Sequence, residues 1–176
     1  MALTRSQGPG SRGQDETRGT NNPGSWSLGP GSGQPPLWVT SYIGIPFVDL
    51  GRDRDGCDCW GLVRLVLDEI SGLTLPLWMA SEVEAAAAIG DQRISGNWRP
   101  VDPGDERALD VVEMSGATRI DDRFAWGSIH VGVIIGAGWL LHTERATEAV
   151  IGRYREDQAL SRRIQGLWRH RALCLI

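Results

Sequence analysis

Between Asp58 and Gly72 the chain carries the signals of one well-bounded helix, and beyond residue 109 its apolar residues take up the period of strands. That switch constrains the architecture more than any other feature. Leu62, Val63, Leu65, Val66 and Ile70 give residues 59–71 an apolar face, with Asp58 at the N-cap and Gly72 placed to end the helix. An alanine-rich stretch predicts a second helix over 82–89. Strands are expected over 109–114, 128–135 and 139–143, the last two joined by a glycine turn at 136–138. Another is expected over 149–154 and a last one over 167–175, with 155–163 helical or irregular. Helices first and a meander of strands afterwards predict an α+β domain.

The 176 residues divide at about residue 37. Residues 1–36 are rich in Gly, Pro, Ser, Gln and Asn and hold too little apolar surface to offset the entropy of ordering them. They are expected to form an extended arm that wraps on a protein partner through isolated side chains such as Trp26 and Leu28, the alternative being an inert tail. Residues 37–176 form the domain, opening with a short helix or turn over 37–42 and a polar loop over 51–56. The formal charge is −4 and all 18 basic residues are arginine without a basic run, which argues against nucleic acid as a partner. No run of 18 apolar residues occurs, so no membrane-spanning helix is expected, and the N-terminus does not read as a secretory signal.

The chemistry concentrates in Gly56-Cys57-Asp58-Cys59-Trp60-Gly61-Leu62-Val63. Cys59 falls in the first turn of the helix, where free amides and the positive dipole end favour thiolate. Three cysteines, two of them one residue apart, argue against a disulfide framework and for a reducing compartment of synthesis. Of the three histidines, His130 begins one strand of the expected hairpin and His142 ends the other, so the turn should bring them together. One imidazole could then take the thiol proton and the other orient it. His170, among arginines, reads as a surface residue. Cys57 reads as a packing residue and Cys174 as core, although Cys57, Cys59, His130 and His142 also make a Cys2His2 set by count. Most of the eight tryptophans read as core, with Trp60 set apart by its neighbour. Asp110 reads as structural.

Tyr42-Ile-Gly-Ile-Pro-Phe47, Gly56-Cys-Asp-Cys59-Trp-Gly-Leu-Val63, His130-Val-Gly-Val-Ile-Ile-Gly136 and the later His142 resemble the motifs of the NlpC/P60 cysteine peptidases over about residues 38–145. The version with tryptophan after the cysteine is similar to peptidases encoded with phage tails and gene transfer agents. The resemblance implies a compact papain-like α+β core, with the nucleophile at the N-terminus of a helix packed on an antiparallel sheet. It implies hydrolysis of an amide in the peptidoglycan stem peptide, commonly between D-γ-glutamate and the diamino acid, with no cofactor and no metal. Carried over, Cys59 is the nucleophile, His130 the base and His142 the residue that orients it, with Asp58, Trp60 and Phe47 at the oxyanion site and substrate cleft.

The phage-like context implies a protein made in the bacterial cytoplasm, incorporated in a tail tip through residues 1–36 and acting in the periplasm or cell wall. Two departures bear on activity. Many relatives have tyrosine where this chain has Phe47, which carries no hydroxyl, and Trp60 replaces a small residue. The alternative expectation is a catalytically silent plug or adaptor of the tail tip.

Overall fold

The structure, a computed structural model, describes residues 33–77, 96–120, 123–136, 138–145 and 147–175. The predicted helix at 82–89 and the arm up to residue 32 lie outside them.

The caps at Asp58 and Gly72 are used as the sequence indicates. The Asp58 side chain accepts from the Gly61 amide, α1 runs Cys59–Ser71, and Gly72 ends it in the left-handed conformation. Leu62, Val63, Val66 and Leu67 leave water completely, each contributing about 1.5–3 kcal/mol by burial. Upstream, Leu37–Ser41 is a 3-10 helix. The expected polar loop is a small hairpin, β1 Arg52–Asp53 against β2 Gly56–Cys57, with Arg52 opposite Cys57.

Six strands make the main sheet: β3 Trp98–Pro100, β4 Val111–Ile120, β5 Arg123–Gly136, β6 Trp139–His142, β7 Val150–Arg153 and β8 Ile164–His170. Their spatial order is β3-β8-β4-β5-β6-β7, and every pairing is antiparallel. Val131, Val133, Ile135 and Leu141 face α1 in one core. Val112, Met114, Ile134 and Leu140 form a second core on the opposite face, with Tyr154 and Leu167. Burial of both faces explains why residues 131–135 read as an unbroken apolar run rather than an alternation.

The predicted final strand is displaced. It starts at Ile164 and stops at His170, where its pairing with Trp98 of β3 ends, and Arg171–Leu175 turns into a 3-10 helix. Among the described residues no strand pairs with the chain beyond that point, and the apolar run there stays outside the sheet. Cys174, expected in the core, is exposed, its thiol donating to the His170 carbonyl at 3.7 Å. A short helix, α2 Gln158–Ser161, precedes β8. Asp110 does the structural work expected of it: Arg169 donates from Nε to Oδ1 (2.7 Å) and from Nη2 to Oδ2 (2.6 Å), tying β8 to the entrance of β4 in a buried two-pronged ion pair.

Candidate active site

Three devices fix Cys59. Its predecessor Asp58 caps the helix, the Gly61 amide donating to Oδ1 at 2.7 Å. Arg52 of β1 holds the other carboxylate oxygen at 2.5 Å, so the hairpin is pinned to the helix start. Gly61 lets the two backbones meet, since a Cβ there would stand 2.2 Å from the Gly51 carbonyl oxygen. Cys57, on β2 of the hairpin, is fully buried and packs as expected.

The Cys59 thiol is partly buried at the side of β5, next to the backbone of Val131. Burial pushes it up to about 11. Amide donation from Val131, Trp60 and Cys59 itself pulls the other way, and the Asp58 carboxylate adds to the rise. The helix end alone favoured thiolate, but desolvation outweighs it, and the resting sulfur is a thiol.

His130 and His142 meet as the hairpin requires. Nε2 of His130 and Nδ1 of His142 are 3.2 Å apart in a hydrogen bond between buried rings set edge to face. Gly132 makes room: a Cβ there would lie 2.8 Å from Leu140 Cδ1 and from the Leu141 carbonyl oxygen, and 3.0 Å from His142 Cβ. Burial lowers the His130 pKa well below the usual imidazole value, and His142 and Arg163 lower it further. Burial also lowers that of His142, against the Glu144 carboxylate, which raises it, while Arg163 adds to the fall. Both imidazoles are neutral at neutral pH.

Two members of the site escape a reading of the sequence. Glu144 Oε1 lies 3.4 Å from His130 Nε2 and 3.7 Å from His142 Nδ1. Arg163 donates from Nη2 to that same oxygen, and its Nε donates to the Ser115 carbonyl at 2.9 Å. The faint signal for Glu144 is its place two residues after His142, the spacing that keeps side chains on one side of an extended chain. Arg163 gives none, because it enters from the far end of the sequence.

His130, His142 and Glu144 offer ligand atoms within 4.8 Å of one another, a spacing a divalent cation could use. Arg163 already brings a positive charge onto the oxygen such an ion would need, and a second cation there would be repelled. Among the described residues no cysteine joins that cluster, so the Cys2His2 set does not assemble.

Phe47 is half-buried, bridged to Cys57 along the backbone, with the Arg145 guanidinium 5.8 Å from its ring centre. Trp60 goes to the core instead of an open cleft, its indole N–H directed at the Pro76 carbonyl at 3.4 Å. His170, expected at the surface, is half-buried and packs edge-on against Trp98.

A cysteine at the first position of a helix, laid on an antiparallel sheet that carries a buried histidine pair, defines a papain-like α+β fold. The fold is that of the NlpC/P60 proteins. An NlpC/P60 family protein from Bacillus cereus ATCC 10987 superposes with a TM-score of 0.52 at 21% identity, over 78% of this chain and 41% of that one. An NLP/P60 family protein similar to lipoprotein, from Staphylococcus aureus subsp. aureus Mu50, gives 0.51 at 17% identity, over 75% and 38%. In sequence, the chain is similar to the Gamma-DL-glutamyl hydrolase of Bacillus subtilis (strain 168), 31% identical over 117 residues. That match takes in 66% of this chain but 24% of the hydrolase, so the chain spans about a quarter of the relative's length. No protein-family model matches the chain.

Proposed function

We propose that the chain is a cysteine peptidase that hydrolyses an amide of the peptidoglycan stem peptide, the bond after D-γ-glutamate being the favoured one. The observation that carries the reading is the seat of Cys59: a thiol at the start of α1, beside Val131, one residue along the strand from a histidine whose Nε2 is engaged by His142. With Nε2 engaged, Nδ1 is the nitrogen left for the thiol proton. Because thiol and imidazole are both neutral at rest, proton transfer accompanies attack.

Sγ attacks the carbonyl carbon as its proton passes to His130. The negative charge moves to the carbonyl oxygen, where the Cys59 amide at the helix start can turn from the sulfur to receive it. His130 then gives the proton to the departing amine, leaving a thioester. Water, losing a proton to His130, attacks the thioester, and the thiol and a carboxylate are regenerated. His142 holds the ring through both halves. Phe47 adds no hydroxyl to the oxyanion site.

In this reading the peptidase is made in the bacterial cytoplasm, rides in a phage-like tail tip attached through residues 1–36, and works in the periplasm or cell wall. The tryptophan after the nucleophile and the glycine- and proline-rich arm support that setting.

The test is release of soluble fragments from purified peptidoglycan. Wild-type protein should release them, and Cys59→Ala should fall to background while keeping the wild-type unfolding temperature. A folded wild-type protein inert on every wall tested would favour the silent plug. Equal release by Cys59→Ala would remove the cysteine from the mechanism.

A further inference from the structure

A neutral histidine can orient His130 but cannot balance charge. Once His130 has taken the thiol proton it is an imidazolium in a site where desolvation strongly disfavours charge. His142, neutral and buried, brings no counter-charge. Among the described residues, the charged and titratable groups considered with the pair come from five segments. Cys59 stands on α1, the two imidazoles on β5 and β6, Glu144 just beyond β6, and Arg163 just before β8. On β4, the residue paired with His130 is Met114, which is apolar. Glu144 is thus the one anion set against the histidines among these groups, and a single oxygen of it faces both rings and the guanidinium.

We propose that Glu144 is a positioning residue that supplies the counter-charge to the His130 imidazolium, and that Arg163 sets how much of that charge the histidine pair feels. The inference rests on the cysteine peptidase reading. Glu144 Oε1 is 3.4 Å from His130 Nε2, a distance at which opposite charges in a poorly solvated site interact strongly. Arg163 works in two directions. Its Nε is anchored on the Ser115 carbonyl, and the Ser115 amide returns a bond to the Arg163 carbonyl at 2.8 Å, so the guanidinium holds the carboxylate in place. Its positive charge also offsets the carboxylate, so that the resting histidines stay neutral. In the step itself the proton leaves Sγ for His130, and the site passes from thiol and neutral imidazole to thiolate and imidazolium. The proton moves only between Sγ and His130, so Glu144 acts here as a counter-charge rather than a proton carrier.

The closing experiment reads the thiol directly. Cys59 alkylation by iodoacetamide is followed across pH by peptide mass, with fragment masses separating Cys59 from Cys57. Alongside it, kcat and KM are measured on peptidoglycan fragments. Glu144→Gln keeps the shape and removes the charge. We expect alkylation at pH 7 to fall about tenfold, kcat to fall in parallel, and KM to stay within about twofold, one pKa unit being about 1.4 kcal/mol. The double variant Glu144→Gln/Arg163→Met removes the cation left uncompensated, and should recover at least about threefold of the lost alkylation. A merely structural carboxylate predicts a double variant no better than the single one. Wild-type behaviour of Glu144→Gln, or a double variant as impaired as the single, overturns the proposal. A wild-type protein that hydrolyses nothing, but whose thiol responds to Glu144→Gln as described, overturns the peptidase reading and leaves the counter-charge standing.

Discussion

At the scale of the residue, burial governs the chemistry. The helix start would make Cys59 acidic, yet its thiol is pushed up to about 11 because it is removed from water. The same desolvation lowers His130, His142 and the half-buried His170 below the ordinary imidazole range. This has a consequence for stability. An imidazole with a depressed folded-state pKa stays neutral in the fold while the unfolded chain takes up a proton near pH 6.5. Stability present above that pH is therefore lost as the pH falls. The slope for each such histidine is at most about 1.4 kcal/mol per pH unit. We expect chemical denaturation to give a lower unfolding free energy at pH 5.5 than at pH 7.5, in a window above the carboxylate titrations, and His142→Gln to flatten the dependence. A wild-type curve level across that window would contradict buried, neutral imidazoles.

At the scale of the element, what the sequence announces is what short-range physics decides. Asp58, Gly72 and the apolar face between them mark out α1 from local signals, and the β5–β6 hairpin, with Val133 paired to Leu141, brings His142 within reach of His130. β8 lies elsewhere than its composition indicates because pairing with β3 and β4 fixes where it begins and stops. The apolar run ending in Cys174 resembles a strand, but the ladder with β3 closes on the Arg171 amide donating to the Asn97 carbonyl at 2.7 Å, and the chain then turns into the 3-10 helix. Glu144 and Arg163 were illegible for the same reason, since their meeting depends on two segments 19 residues apart being folded against one another. The β5–β6 hairpin also shows how tightly an element can set a site. The methyl of Gly132→Ala must displace Leu140, the Leu141 carbonyl and His142 Cβ. Crowding of this kind costs about 1–3 kcal/mol, and a shift of about 1 Å at a catalytic group costs up to about a hundredfold in rate. Gly132→Ala should therefore unfold at lower temperature and lose at least about tenfold in kcat. Unchanged kcat with a lowered unfolding temperature would show that the hairpin does not control the geometry of His142.

At the scale of the whole molecule, the described part of the arm meets the domain lightly. The Gly33 carbonyl accepts the Trp139 indole N–H at 3.2 Å, and Pro36 caps the first 3-10 turn through its carbonyl, at 3.1 Å from the Val39 amide. Neither contact touches Cys59 or the histidine pair. Deleting residues 1–36 should accordingly leave peptidoglycan hydrolysis within about twofold of wild type and shift the unfolding temperature by a few degrees at most. In a phage-like particle the truncated protein should be missing from the tail. Full occupancy by the truncated protein would make the arm an inert linker. The order of the sheet has a further consequence, one of timing. β8 is the last of the six strands to leave the ribosome, yet it lies inside the sheet between β3 and β4, and Arg163 immediately precedes it. A nascent chain stalled before residue 163 has its edge strand β3 cut off from β4 and no guanidinium to hold Glu144. Synthesis of the last strand is then the step that completes both the sheet and the cluster around the histidine pair.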